Sequence, residues 1–247
     1  MIPLRDDAPR FSTPWMNYFL IALNTAIFLA MWAGVPAPAQ VVVNVFGFVP
    51  LKITALLEGA HAIDLGGALV PVNAQSAIIP IFTSMFLHAS WLHLIGNMWG
   101  LWIFGDNVED HLGHFAYILF YLLCGIGAAV THTLLNLTSA VPSVGASGAI
   151  AGVMGAYFVL YPRARVLTLV PLIFFFTFWW LPAWVVLGYW FLLNFFSGAA
   201  TSVAVSSQTS AGIGGVAFWA HVGGFITGML LVKLFPVRQQ RSRYAAW

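Results

Sequence analysis

Apolar stretches of roughly 15 to 22 residues recur along this chain between short polar breaks, each long enough to be a spanning element in a hydrocarbon layer about 30 Å thick. In lipid every backbone amide and carbonyl must be paired internally, so such stretches fold as helices packed in a bundle. The charge content points the same way. Only 6% of the 247 residues are Asp, Glu, Lys or Arg, against about a quarter in soluble domains. The expected fold is an all-α membrane protein.

Six spans are expected, at approximately 15–34, 79–104, 114–136, 147–161, 181–198 and 215–236. A cytoplasmic N-terminal segment at 1–14 and a cytoplasmic tail at 237–247 flank a membrane domain at 15–236. The first stretch, 15–33, precedes Ala37-Pro38-Ala39, which resembles a signal cleavage site, but it is longer than a signal core and is read as an uncleaved span. Eight of the nine Lys and Arg residues (Arg5, Arg10, Arg163, Arg165, Lys233, Arg238, Arg241, Arg243) fall on one side of a six-span plan, with Lys52 opposite. The positive-inside rule then makes both termini cytoplasmic. Residues 105–113, with Asp106, Glu109 and Asp110, are expected as a polar inside turn, and 35–78 and 137–146 as outside loops, the former carrying a short interfacial helix at 49–57. Residues 166–180 are apolar but interrupted by Pro171, which leaves a re-entrant, an interfacial and an early fifth-span reading open.

A net charge of +2 without a basic stripe speaks against a nucleic-acid partner. The single Cys124 lies in an apolar run and reads as a small packing residue. The partner expected on composition is the lipid bilayer.

Polar groups inside apolar runs are costly and mark function. The fourth span begins at Ser147 and ends before Pro162, Arg163 and Arg165; about 15 helical residues reach roughly 22 Å, short of the hydrocarbon thickness. With its basic end at the surface, Ser147 lies below the opposite surface. Gly145-Ala146-Ser147-Gly148 opens that helix, where free amides and the positive dipole end suit an oxyanion. The plain alternative is that Ser147 merely caps the helix. His221 lies mid-way in the run 216–235, with Gly224 and Gly228 on its face, and Gly148 and Gly152 form a matching small-residue face. Close packing of the two brings a hydroxyl and an imidazole together, the nucleophile and base of acyl transfer. The alternative for His221 is a buried histidine tied to a carbonyl. In the second span, His93 and Asn97 share a face, and both can donate to a developing oxyanion or simply bridge helices.

These three motifs, His93-x-x-x-Asn97, Gly145-x-Ser147-Gly148, and Ala220-His221 followed by Gly224 and Gly228, together resemble the rhomboid family of intramembrane serine proteases over nearly the whole chain. The resemblance implies a six-helix bundle with a short central fourth helix carrying the nucleophile. It also implies serine endopeptidase activity on peptide bonds in or beside transmembrane helices of single-span substrates, through a Ser–His dyad with no cofactor or metal. Ser147 becomes the nucleophile, His221 the general base, and His93 and Asn97 the oxyanion-hole side chains, helped by the backbone N–H groups of Ala146 and Ser147. Gly145, Gly148, Gly224 and Gly228 support the site, and His88 is structural or lines the wet cavity. Two family features are missing. Ile79 and Pro80 stand where some members have Trp-Arg, and Ala151 stands where some have an aromatic residue against the catalytic histidine, so another group must orient His221.

Three competing functions make different demands. A non-cutting relative should lack a reacting residue. A transporter should show repeats or paired carboxylates, neither of which the chain displays. A metalloprotease built on His88, His93 and His221 should carry a carboxylate-bearing helix motif. His61, His111, His114 and His132 are read as solvated or structural. The compact plan suggests a bacterial inner membrane.

Overall fold

The computed structural model describes residues 1–64, 69–172, 175–206 and 217–236. In chain order these form β1 (Ile2–Asp6), α1 (Trp15–Trp32), α2 (Ala39–Phe46), α3 (Pro50–Leu57), β2 (Ala62–Asp64), β3 (Leu69–Pro71) and α4 (Ala74–Thr83). A 3-10 turn (Ser84–Phe86), α5 (Trp91–Gly100), a π-helical turn (Leu101–Gly105) and α6 (Asp106–Leu112) follow. The remainder is α7 (His114–Leu134), α8 (Ser147–Leu160), β4 (Arg165–Pro171), β5 (Phe176–Pro182), α9 (Ala183–Ser206) and α10 (Phe218–Leu231). The start of the expected last span at 215–216 and the expected tail at 237–247 lie outside the described residues.

Helices α1, α7 and α9 are each long and apolar enough to cross a bilayer, while α8 and α10 are shorter apolar helices. Two further helical stretches, Ala74–Phe86 and Trp91–Leu112, are together apolar enough to cross but meet at a 78° bend. The unbroken helix expected at 79–104 is therefore corrected. Ser90 explains the break, because its side chain accepts from the His93 amide at 3.2 Å and starts a new helix inside the apolar run. The polar turn expected at 105–113 is also corrected. Beyond the π-helical turn the chain continues as α6, and Glu109, fully buried, accepts from the Met16 and Asn17 amides at 3.0 and 2.7 Å. A carboxylate thus serves the N-terminus of α1, which lacks a side-chain cap of its own. Asn17 in turn donates to the Leu101 carbonyl at 2.8 Å, one of the groups that the π-helical register makes available, and accepts from the Tyr117 hydroxyl at 2.8 Å.

The described parts of 166–180, left open by the sequence, lie largely in β4 and β5, which pair antiparallel from Arg165↔Pro182 to Pro171↔Phe176. Alternation decides it: Val166 and Thr168 are buried against the bundle, while Phe176, Phe178 and Trp180 on the other face are exposed. Pro171 sits at the end of its strand, where a missing N–H costs little. On the other edge of β4, strand β1 pairs antiparallel. The N-terminal segment is therefore fastened to the bundle, with the Tyr157 hydroxyl donating to Asp6 and the Arg165 amide donating to Asp7 at 2.7 Å. At the opposite end of the bundle, α3 confirms the helix expected at 49–57, and α2 precedes it.

At the centre stands α8, buried on every side from Ala149 to Tyr157 and packed mainly on α10 and α7. The contact is made by backbone. A Cβ on Gly224 would meet the Gly148 carbonyl, one on Gly228 the Gly152 carbonyl, and one on Gly152 the Cys124 side chain. Cys124 is a free, buried packing residue, as its position suggested.

Gly228→Ala is expected to lower stability by about 1 to 3 kcal/mol, because the opposing backbone cannot yield. Gly96→Ala, with open space around it, is expected to be neutral or to stabilise by up to about 1 kcal/mol. Thermal unfolding in detergent separates the two. Burial raises the Asp6 carboxyl above its ordinary value, opposed in part by the Tyr157 hydrogen bond. A carboxyl raised on folding contributes stability that is lost as pH climbs through its folded pKa. Asp6→Asn should therefore flatten the fall in melting temperature between mildly acidic and neutral pH.

Candidate active site

Three helix beginnings bring the polar residues together. Ser147 is the first residue of α8, His221 the fourth of α10, and His93 the third of α5. The glycine contacts hold α8 and α10 close enough for the Ser147 Oγ to lie 2.7 Å from His221 Nε2. No side chain caps α8, so the Ser147 hydroxyl is directed at the imidazole and not at its own helix. The first amide to close a helical ring is that of Ile150, bonded to the Ala146 carbonyl at 3.0 Å, so the amides before it in the turn have no partner within the helix.

Gly145 links the second group to the first. Its φ of +132° is one that side chains rarely adopt, and a Cβ there would lie 2.6 Å from His93 Nε2 and 3.6 Å from Asn97 Nδ2. The two side chains therefore converge on the backbone two residues before Ser147. The Gly145 amide donates to the Ser84 carbonyl at 2.9 Å, tying this loop to the 3-10 turn before the break. His88, in the break itself, is buried at 2% exposure and lies 2.9 Å from Asn97 Nδ2, which makes it the orienting partner of Asn97. Its ring packs edge-on against His93, with centroids 5.2 Å apart. A cavity of about 50 Å³ opens beside Ser147, lined also by Ser84, His132, Ser143 and Gly145.

A hydroxyl hydrogen-bonded to an imidazole, with two side chains that can donate beside the same helix start, is an arrangement able to carry acyl transfer. The model of the Rhomboid domain family matches residues 75–237, about two thirds of the chain. The chain belongs to the rhomboid family. It is an integral membrane protein. RHOMBOID-like protein 1 of Arabidopsis thaliana is 27% identical over 238 residues, which cover 92% of this chain and 54% of that protein. RHOMBOID-like protein 6, mitochondrial, of the same plant is 31% identical over 160 residues, covering 58% and 50%. Presenilin-associated rhomboid-like protein A, mitochondrial, of Danio rerio is 31% identical over 159 residues, covering 63% and 35%. The rhomboid chain described here spans about half the length, or less, of these relatives.

The side chains set against the imidazole of His221 in this rhomboid come from α9, in which sequence reasoning singles out no residue. Asn194 Oδ1 lies 2.6 Å from His221 Nδ1, and the Trp190 ring lies 5.6 Å from the imidazole at 39°. The available signal was an Asn buried one turn after a Trp in an otherwise apolar span. Of the other histidines, His132 reaches Ser143 Oγ at 3.2 Å and Asn136 at 3.3 Å, joining α7 to the 137–146 loop. His114 pairs with Glu109 at the far end of the bundle. Among the described residues no three His, Cys, Asp or Glu side chains converge to hold a metal, so His88, His93 and His221 are not arranged as ligands.

Gly145→Ala must move both the backbone and His93. It is expected to leave the protein folded while lowering the rate at which a fluorophosphonate labels Ser147 by about 10²-fold, the scale of one lost oxyanion donor.

Proposed function

We propose that this chain is an intramembrane serine endopeptidase that hydrolyses peptide bonds in or next to the transmembrane helices of single-span proteins, with Ser147 as nucleophile and His221 as general base. The observation that carries the reading is the 2.7 Å contact between Ser147 Oγ and His221 Nε2 inside an apolar bundle. A serine and a histidine are both expensive in lipid, and their pairing at the start of a buried helix serves no packing need. Family membership supports it, since both reacting residues are present at the matching motifs.

The chemistry follows from the geometry. His221 Nε2 takes the Ser147 proton as Oγ bonds to the scissile carbonyl carbon, and the carbonyl π electrons move to oxygen. That oxyanion is met by the side chains of His93 and Asn97 and by the amides of Ala146 and Ser147. Collapse breaks the C–N bond, with the proton passing from Nε2 to the leaving amine, and water repeats the sequence on the acyl-enzyme. A helical carbonyl is hydrogen-bonded and shielded, so the substrate must unwind locally, which Gly or Pro near the cut assists.

In this reading the chain crosses six times, with the bent pair as the second crossing, the shorter α8 as the fourth and the shorter α10 as the sixth, while length and composition alone mark three described helices, or four with the bent pair. Residues 15–236 form the membrane domain, with 1–14 and 237–247 on the side rich in Lys and Arg. The mitochondrial labels of two relatives named above lend no support to a bacterial inner membrane.

A single-span reporter co-reconstituted in liposomes tests the reading. Wild type is expected to cut it, and Ser147→Ala and His221→Ala to be slower by about 10³-fold or more. Cutting by both variants at the wild-type rate would sink the proposal. Wild type that neither cuts nor takes up a fluorophosphonate would point to a non-cutting scaffold.

A further inference from the structure

We propose that Asn194 is a positioning residue for His221, holding the imidazole in the tautomer whose unprotonated Nε2 faces Ser147. The proposal rests on the Ser147–His221 reading above and supplies the third member which that reading lacked.

The Asn194 amide is oriented by its own helix. Its Nδ2 donates to the Trp190 carbonyl at 2.9 Å, one turn earlier on α9. A flipped amide would set Oδ1 against that carbonyl, two acceptors with no proton between them. The acceptor Oδ1 is therefore the atom presented to His221 Nδ1 at 2.6 Å, and an acceptor at that distance requires Nδ1 to carry a hydrogen. A neutral imidazole has only one N–H, so Nε2 bears the lone pair, and Nε2 is the atom 2.7 Å from Ser147 Oγ. In the other tautomer Nε2–H would donate to the hydroxyl and could not remove its proton. Asn194 is nearly buried at 8% exposure, which keeps water from replacing it as acceptor.

Trp190 has two parts in this. Its carbonyl orients the amide, and its ring lies against the imidazole. One turn of α9 therefore fixes the edge and the face of His221, which Ala151 of α8 cannot do. Among the described residues, the titratable groups that face His221 from the packed helices are His93 of α5 and His132 of α7, with no carboxylate among them. The amide keeps its bond to Nδ1–H after His221 accepts the serine proton, and it does so without placing a second charge in the membrane.

The test uses the full chain in liposomes with the single-span reporter, comparing wild type with Asn194→Leu and Asn194→Asp. Asn194→Leu matches the side-chain shape without an acceptor, and is expected to lower kcat by about 10²-fold or more while KM changes little, in line with the cost of a wrong tautomer. Asn194→Asp restores the acceptor with a charge. It is expected to retain cutting at alkaline pH, while the acid limb of kcat/KM moves up by about one pH unit or more, since a carboxylate on Nδ1–H favours the imidazolium. A role limited to packing would move neither limb. Nitrogen NMR of the histidine-labelled wild type reads the tautomer directly and needs no variant to fold: Nδ1–H is the expected signal, and Nε2–H would overturn the proposal. So would an Asn194→Leu variant with wild-type kcat and pH profile. If that variant is active while Ser147→Ala and His221→Ala are silent, only the role of Asn194 fails. If the latter two cut as well as wild type, the dyad itself fails.

Discussion

The close approach of α8 and α10 is the contact on which the rest of this molecule depends. Gly224 and Gly228 lie on the Gly148 and Gly152 carbonyls and Gly155 lies on the Phe225 carbonyl, so the two backbones meet, while the side positions of Gly148 and Gly152 face Ala128 and Cys124 of α7. In lipid there is little hydrophobic gain from joining two apolar helices, and small residues that permit dense backbone packing are a main source of association. The same geometry sets the chemistry. Side chains that kept the axes a few ångströms further apart would break the Ser147–His221 hydrogen bond outright, because such a bond is gone beyond about 3.5 Å. Folding and the reactive pair are secured by one interface.

The charges are sorted around that interface. Described carboxylates lie at the bundle ends or in the loops, where Glu109 serves the start of α1 and Asp6 and Asp7 tie β1 to α8 and β4. Among the described residues, the polar side chains around Ser147 and His221 are neutral or conditionally charged, among them Asn97, Asn194, His88, His93, His132, Ser84 and Ser143. Polar groups that can pair without net charge are the ones a water-poor interior tolerates.

What the sequence made legible was whatever depends on one residue's chemistry in an apolar setting. Ser147, His221 and their glycines stood out because hydroxyl, imidazole and paired small residues are conspicuous in a span. The break at 87–90 was hidden because Ser90, the N-cap of a new helix, falls within a single apolar run. The helical 106–112 segment was hidden because its acidic residues look like a surface turn until Met16 and Asn17 are placed against Glu109. The hairpin at 165–182 has the alternation of a strand pair, but Pro171 and the surrounding hydrophobicity equally suit an interfacial segment. Asn194 was invisible for a different reason. Its importance lies in a contact with a residue 27 positions away on a neighbouring helix, and no local pattern encodes that distance.

The breaks and short helices also share a purpose that no single element shows. The starts of α5, α8 and α10 place His93, Ser147 and His221 within the first turn of their helices. Helix dipoles act over about one turn and present positive potential at the N-terminus. Three such ends meeting at one site favour a negative charge there. An unbroken second crossing would carry His93 into mid-helix, and a full-length α8 would carry Ser147 toward the surface. Both irregularities that shorten the helices therefore work to concentrate this potential at the depth where the serine lies.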